Sequence, residues 1–308
     1  MSVPNRNLPT VAVCLAAFNG VRYLQQQVDS ILDQTGVKTS LIVSVDRSTD
    51  GTEEWFTRLQ MRNAQVVLLP IGESFGGAAQ NFFRMLREID FSAFDYVAYA
   101  DQDDIWLPGK LQRATQRLLQ VGADGYSSDI VAFWESGRSA YMKKCFPQRK
   151  WDYLFESAGP GCAFVISQKL AMEIQKVLQQ NQQASAGIGF HDWFTYAFAR
   201  AQGYRWVIDD FASLMYRQHD QNQVGANSGW VAFVWRARRV LNGWGLRQSR
   251  LIASLVGLVD HPFVRRWSGG SRLGLLALAF QASQCRRKPL DRFWFALSCL
   301  ALAVIGWK

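Results

Sequence analysis

Between Val11 and Ala100 the chain alternates apolar runs with amphipathic ones, and that alternation leaves few folds open. Val11–Ala17, Ser40–Val45, Ala64–Leu69 and Phe94–Ala100 are short and apolar, and read as four strands. Tyr23, Leu24, Val28, Ile31 and Leu32 recur at helical spacing, a second helix covers Glu53–Leu59, and the stretch Phe75–Phe82 opens a third that runs to about Ile89. Strand–helix repetition at this interval predicts an α/β fold with a mostly parallel central sheet covered by helices on both faces. Ligands of such sheets sit beyond the C-terminal ends of the strands. Asn19, Asp46, Gly76 and Asp101 all fall at those ends. Neither a GxGxxG after the first strand nor a GxxxxGK[ST] is present, which disfavours a dinucleotide fold and excludes the usual P-loop.

The fourth strand runs into Asp101-Gln102-Asp103-Asp104. Three carboxylates crowded at a strand end repel one another, and a cation would relieve them. The i,i+2 spacing of Asp101 and Asp103 lets both reach one hard divalent ion through oxygen. A solvated acidic turn is the alternative reading.

The 49% apolar content of the 308 residues suffices for a sizeable core. The net charge of +9 is concentrated beyond Arg236, where basic residues alternate with Leu, Ala and Phe runs. That mixture favours an anionic membrane surface as partner over nucleic acid, for which no module is visible. Cys14, Cys145, Cys162, Cys285 and Cys299 have no CxxC spacing, which points to a reducing compartment. The first ten residues lack the apolar core of a signal peptide, so the expected location is cytoplasmic, peripheral at the inner face of the cell membrane.

Several stretches in this order resemble the family 2, GT-A fold glycosyltransferases, most closely the bacterial rhamnosyltransferase-like branch. They are Ala17-Phe18-Asn19-Gly20, Val45 to Thr52, Asn81 after its glycine pair, Asp101 to Lys110, Gly161 to Phe164, His191-Asp192-Trp193, and Tyr216 to His219 through Val224-Gly225. The resemblance covers roughly residues 9–225, and the acidic tetrad followed by Ile105-Trp106 is its strongest element. It implies a GT-A domain over residues 9–228 and a helical, basic-aromatic region over 229–308.

The resemblance also implies an inverting, metal-dependent transfer of a sugar from a nucleotide-diphosphate donor to a lipid-linked glycan acceptor in surface polysaccharide synthesis. L-Rhamnose from dTDP-rhamnose is the first candidate; a UDP-hexose or UDP-N-acetylhexosamine donor is the alternative. Ala17, Asn19, Asp46, Gly76, Asn81 and Asp101 would line the donor site, with Asp46 on the pyrimidine ring. Asp103 would hold Mg²⁺ or Mn²⁺, joined by Asp101 and by His219. Asp104 would serve donor or acceptor hydroxyls, and Arg217 would fork onto phosphate. Asp192 would be the general base, the alternative being a helix N-cap. Arg47 departs from the family's usual pair of adjacent acids; it could pair with the diphosphate or with Asp50. Trp106 is either a wall of the sugar site or a core anchor. Gly159-Pro160-Gly161 allows close backbone approach to a sugar or is a plain turn.

The tail carries an Arg/Trp-rich stretch from Trp230 to Trp244, apolar runs at Leu251–Val259 and Leu273–Phe280, and a longer one from Leu290 to Trp307 after Arg286-Arg287-Lys288. The last is too short to span a bilayer, which takes about 20 residues. A surface-lying anchor, packing on the catalytic part and a homodimer interface all remain open for it. A nucleotidyltransferase would need more basic residues than the single one between Ala16 and Arg22, and a non-catalytic binder would not need both Asp103 and Asp192.

Overall fold

A computed structural model describes residues 8–219 and 242–306. The 220–241 stretch, with Val224-Gly225 and most of the Arg/Trp-rich segment, lies outside the described residues, as does Trp307.

The first half follows the sequence pattern closely. It runs β1 (Thr10–Ala17), α1 (Val21–Leu32), β2 (Lys38–Val45), α2 (Thr52–Arg62), β3 (Val66–Leu68), α3 (Ala78–Glu88) and β4 (Tyr96–Ala100). β3, β2, β1 and β4 pair in that order, all parallel. β1 shows why the helices cover both faces: Ala12, Cys14 and Ala16 enter one core while Val11, Val13, Leu15 and Ala17 enter the other.

Beyond β4 the expectation of a mostly parallel sheet needs correcting, because the sheet is mixed. The chain continues as β5 (Ile105–Trp106), α4 (Lys110–Val121), β6 (Gly125–Trp134), β7 (Ser139–Met142), β8 (Val165–Ser167), α5 (Gln168–Gln180), α6 (Gln182–Ser185), α7 (His191–Ala201) and β9 (Trp206–Gln218). β8 joins β4 antiparallel and also pairs antiparallel with β6; β9 runs parallel to β6 and takes β5 antiparallel on its other side. β7 hairpins back onto β6. The long β6–β9 pairing is broken by register shifts near Ser128, Asp129 and Val131, where β-bulges bend a sheet. Tyr216, Arg217 and His219 are thereby carried next to the acidic turn.

The C-terminal residues form α8 (Trp244–Leu255), α9 (Pro262–Ser268), α10 (Arg272–Phe280), α11 (Ala282–Cys285) and α12 (Pro289–Ile305). Leu246, Ile252, Val264, Trp267, Leu275, Leu278, Cys299 and Leu302 share one core with Phe82, Phe83, Phe194 and Trp193. Trp151 stacks on Phe263 at 4.3 Å between ring centres. Arg287, nearly buried, reaches Asp152 and Glu156, and Arg286 reaches Glu156 and Asp291. Two of the three residues in the basic cluster before α12 are thus committed to ion pairs inside the molecule. Among the described residues no helix is long and apolar enough to cross a membrane.

Candidate active site

The turns after β1, β2 and β3 are sewn together by side chains. Asn19, at φ 44° in the left-handed region that asparagine tolerates, accepts through Oδ1 from the Thr49 N–H at 2.8 Å. Its own N–H donates to Ser48 Oγ, and Asp50 accepts from the Val21 and Thr52 N–H groups. Asp46 accepts through Oδ1 from the Phe75 N–H at 3.0 Å. Arg47 donates from both Nε and Nη2 to the Gly72 carbonyl, so it braces the next loop and does not pair with Asp50. Gly76 sits at φ 82° in open space. Asn81 lies deeper, buried, donating from Nδ2 to the Ser44 carbonyl at 3.0 Å and the Ala17 carbonyl at 3.4 Å. The predicted donor residues Ala17, Asn19, Asp46 and Gly76 therefore share one rim, and Asn81 fastens β1 to β2 beneath it.

The acidic turn closes the same rim. Gln102 clamps the Phe18 peptide, accepting from its N–H at 2.7 Å and donating to its carbonyl at 2.9 Å. Gln27 donates to the Asp101 carbonyl at 2.6 Å. Asp103 Oδ2 lies 2.7 Å from His219 Nε2, and the His219 ring stacks on Tyr23 at 5.1 Å. Arg217 donates from its N–H to Asp104 Oδ1 and from Nε to the Asp103 carbonyl, while Nη2 reaches Gln26 at 2.7 Å. Its guanidinium lies over Tyr23 and Phe133. The expected Asp103–His219 pair is thus brought together, and Arg217 holds the turn that carries it.

Asp104 departs from its expected contact with substrate hydroxyls. It is fully buried; its Oδ1 accepts from the Arg217 N–H, and its Oδ2 has no hydrogen-bond partner. Carboxylate oxygens of Asp101 and Asp104 lie within 4.8 Å of each other and of Cys162 Sγ. Burial, then the charges of Asp103 and Asp192, push Asp101 up to about 7. Burial, then the charges of Asp103 and Asp101, raise Asp104 well above the carboxylate range. Such crowding, with an orphaned buried oxygen on Asp104, makes Asp101 and Asp104 a candidate seat for a divalent cation. Cys162 fits that cation poorly: burial holds its thiol protonated, and Mg²⁺ and Mn²⁺ prefer oxygen.

Lys110 escaped the sequence reading although it ends the matching Asp101–Lys110 stretch. It is 1% exposed, and its Nζ rests 3.7 Å from the centre of the Trp106 ring. Burial lowers it to about 7, with Cys162 and Asp104 pulling the other way. Trp106, buried beneath it, is the core anchor of its two readings.

Asp192 stands in the first turn of α7, where Phe190 and not Asp192 occupies the cap position. Its Oδ1 accepts from the Trp193 N–H at 2.7 Å. Burial raises it to about 6, moderated by that bond, by Ser157 and by the Lys144 charge. Its charge adds to the raised proton affinity of Asp101, after burial and Asp103. His191 is stacked on Phe82 at 3.8 Å and edge-on to Tyr99. Burial holds it down to about 3, so it stays neutral. A side chain on Gly161 would collide with His191 Nε2, so that glycine clears room for the imidazole, not for a sugar.

Residues 12–181 match the family model described as glycosyl transferase family 2. The dTDP-rhamnosyl transferase RfbG of Shigella flexneri is 37% identical over 284 residues, which cover 92% of this chain and 98% of that one. Among solved structures, S. aureus TarS 1-349 in complex with UDP aligns at TM-score 0.54 and 13% identity, covering 96% of this chain and 90% of that one. The mannosyltransferase PcManGT of Pyrobaculum calidifontis, in complex with GDP-Man and Mn²⁺, aligns at 0.51 and 16% identity, covering 98% and 87%. At such identities the structural likeness speaks for the fold alone.

Proposed function

The chain belongs to glycosyl transferase family 2, a glycosyltransferase on a GT-A-type fold with a mixed sheet between helices, and on that premise we propose that it moves L-rhamnose from dTDP-rhamnose, with inversion, onto a lipid-linked glycan of a surface polysaccharide. The donor follows the similarity to RfbG, which spans nearly the whole of both chains, and the acceptor is the one that the family resemblance of the sequence implies. The observation that supports this reading is the acidic turn itself, where Asp103 Oδ2 lies 2.7 Å from His219 Nε2 and the Asp101 and Asp104 carboxylates come within 4.8 Å of each other.

In this reading Ala17, Asn19, Asp46 and Gly76 form the rim that takes the nucleotide, and Asp46 addresses the thymine ring. Asp103 and Asp101, with His219 alongside, would hold Mg²⁺ or Mn²⁺, which supplies positive charge to the departing nucleoside diphosphate. Asp192, ionised, accepts the acceptor hydroxyl's proton as that oxygen bonds to the anomeric carbon and the sugar–phosphate bond breaks on the opposite face. Its raised proton affinity suits it to that task. Arg217 and Asp104 act by position, fixing the acidic turn against β9.

The test is a transfer assay across dTDP-, UDP- and GDP-sugars with Mg²⁺, Mn²⁺ or a chelator. Turnover of dTDP-rhamnose that vanishes with the chelator is expected. Metal-independent turnover, or a preference for another donor, would refute the corresponding part.

A further inference from the structure

We propose that α10 and α12 together form a docking face for an anionic lipid bilayer, lying on its surface, and that this face belongs to the folded domain. This goes beyond the transfer reaction and does not depend on it.

The two helices pack side by side, and each buries one face in the core: Leu275, Leu278 and Ala279 from α10, Cys299, Leu302 and Ala303 from α12. The opposite face of α12 is apolar and bare. Leu290, Phe293, Trp294, Leu297, Leu300 and Val304 are all exposed, with Val304 at 78%. At 3.6 residues per turn they fall within an arc of about 120°. On α10, Leu273 and Phe280 stand two turns apart on one line, at 80% and 88% exposure. A contiguous bare apolar surface of this kind marks an interaction site.

Three observations favour a bilayer over another protein. Residues 242–306 carry nine arginines and lysines against two aspartates, and Arg265, Arg266 and Arg272 are exposed beside the Leu273 end of the face. Phe293 and Trp294 at one end of the stripe suit the headgroup level of a membrane. Finally, α12 has 17 residues and buries one side in protein, so it can lie on a bilayer but not cross it. Apolar insertion and basic attraction together make the pair of signals that stable surface binding needs.

The experiment is flotation of the full chain with vesicles of phosphatidylcholine alone, or mixed equally with phosphatidylglycerol, at low and high salt. Binding to the mixed vesicles, weakened by salt, is expected. The triple substitution Phe293→Ser, Trp294→Ser, Leu297→Ser should cut partitioning about 100-fold while leaving far-UV circular dichroism and donor turnover unchanged. A second variant, Arg266→Glu with Arg272→Glu, should abolish the preference for anionic lipid. Equal binding of wild type and triple variant would overturn the proposal. So would an absence of vesicle binding together with a dimer, seen by sedimentation, that the triple variant loses.

Discussion

At the residue scale, the site is a problem of carboxylates held too close. Asp101, Asp103 and Asp104 crowd a strand end, and burial raises the first and third. Asp103 differs in having His219 at 2.7 Å, a partner that can share a cation with it or hold its oxygen in place. Asp103→Asn is expected to lower metal-dependent donor turnover by roughly a thousandfold with the fold intact. Unchanged turnover at matched thermal stability would remove Asp103 from the metal site. Asp192 gives a second prediction. Its carboxyl is raised to about 6, is ionised above that value, and as a base acts only when ionised. Transfer should therefore fall about tenfold per unit as pH drops below 6. A rate flat from pH 5 to 7, at saturating donor, would contradict that role. The acids themselves were plain in the sequence. The residues that hold them were not: Gln27 and Gln102 read as ordinary polar residues until β4 and α1 are packed together.

At the element scale, β1 to β4 and the helices between them were legible because each is a single, local hydrophobic period. Boundaries moved by no more than three residues; β2, for instance, begins at Lys38 and not at Ser40. The antiparallel pairings of β8, β6 and β5 were not legible, since they join segments far apart in sequence and the two-residue β5 has no period to detect. The cluster Arg286-Arg287-Lys288 was ambiguous for a related reason. In sequence it is a run of charge; in the fold, Arg287 is 6% exposed and faces Asp152 and Glu156. Removing one side of a buried ionic cluster leaves the other uncompensated. Arg287→Ala should cost about 3–5 kcal/mol, measured by urea unfolding. A change under 1 kcal/mol would mean that the cluster does not fasten α12 to the catalytic part.

At the scale of the whole molecule, one sheet separates two cores, and the site lies along its edge where β1, β2 and β4 end and β9 returns. The C-terminal helices enlarge one of those cores and leave their own apolar stripe outside. The proposed donor rim, the acidic turn and Asp192 come from three separated stretches of chain, and in the proposed mechanism only the fold makes them one site. The most direct test is Asp192→Asn, with donor affinity measured by calorimetry beside the rate of transfer. Donor affinity within about twofold of wild type and transfer reduced at least a hundredfold is the predicted result. Transfer at the wild-type rate would contradict the account.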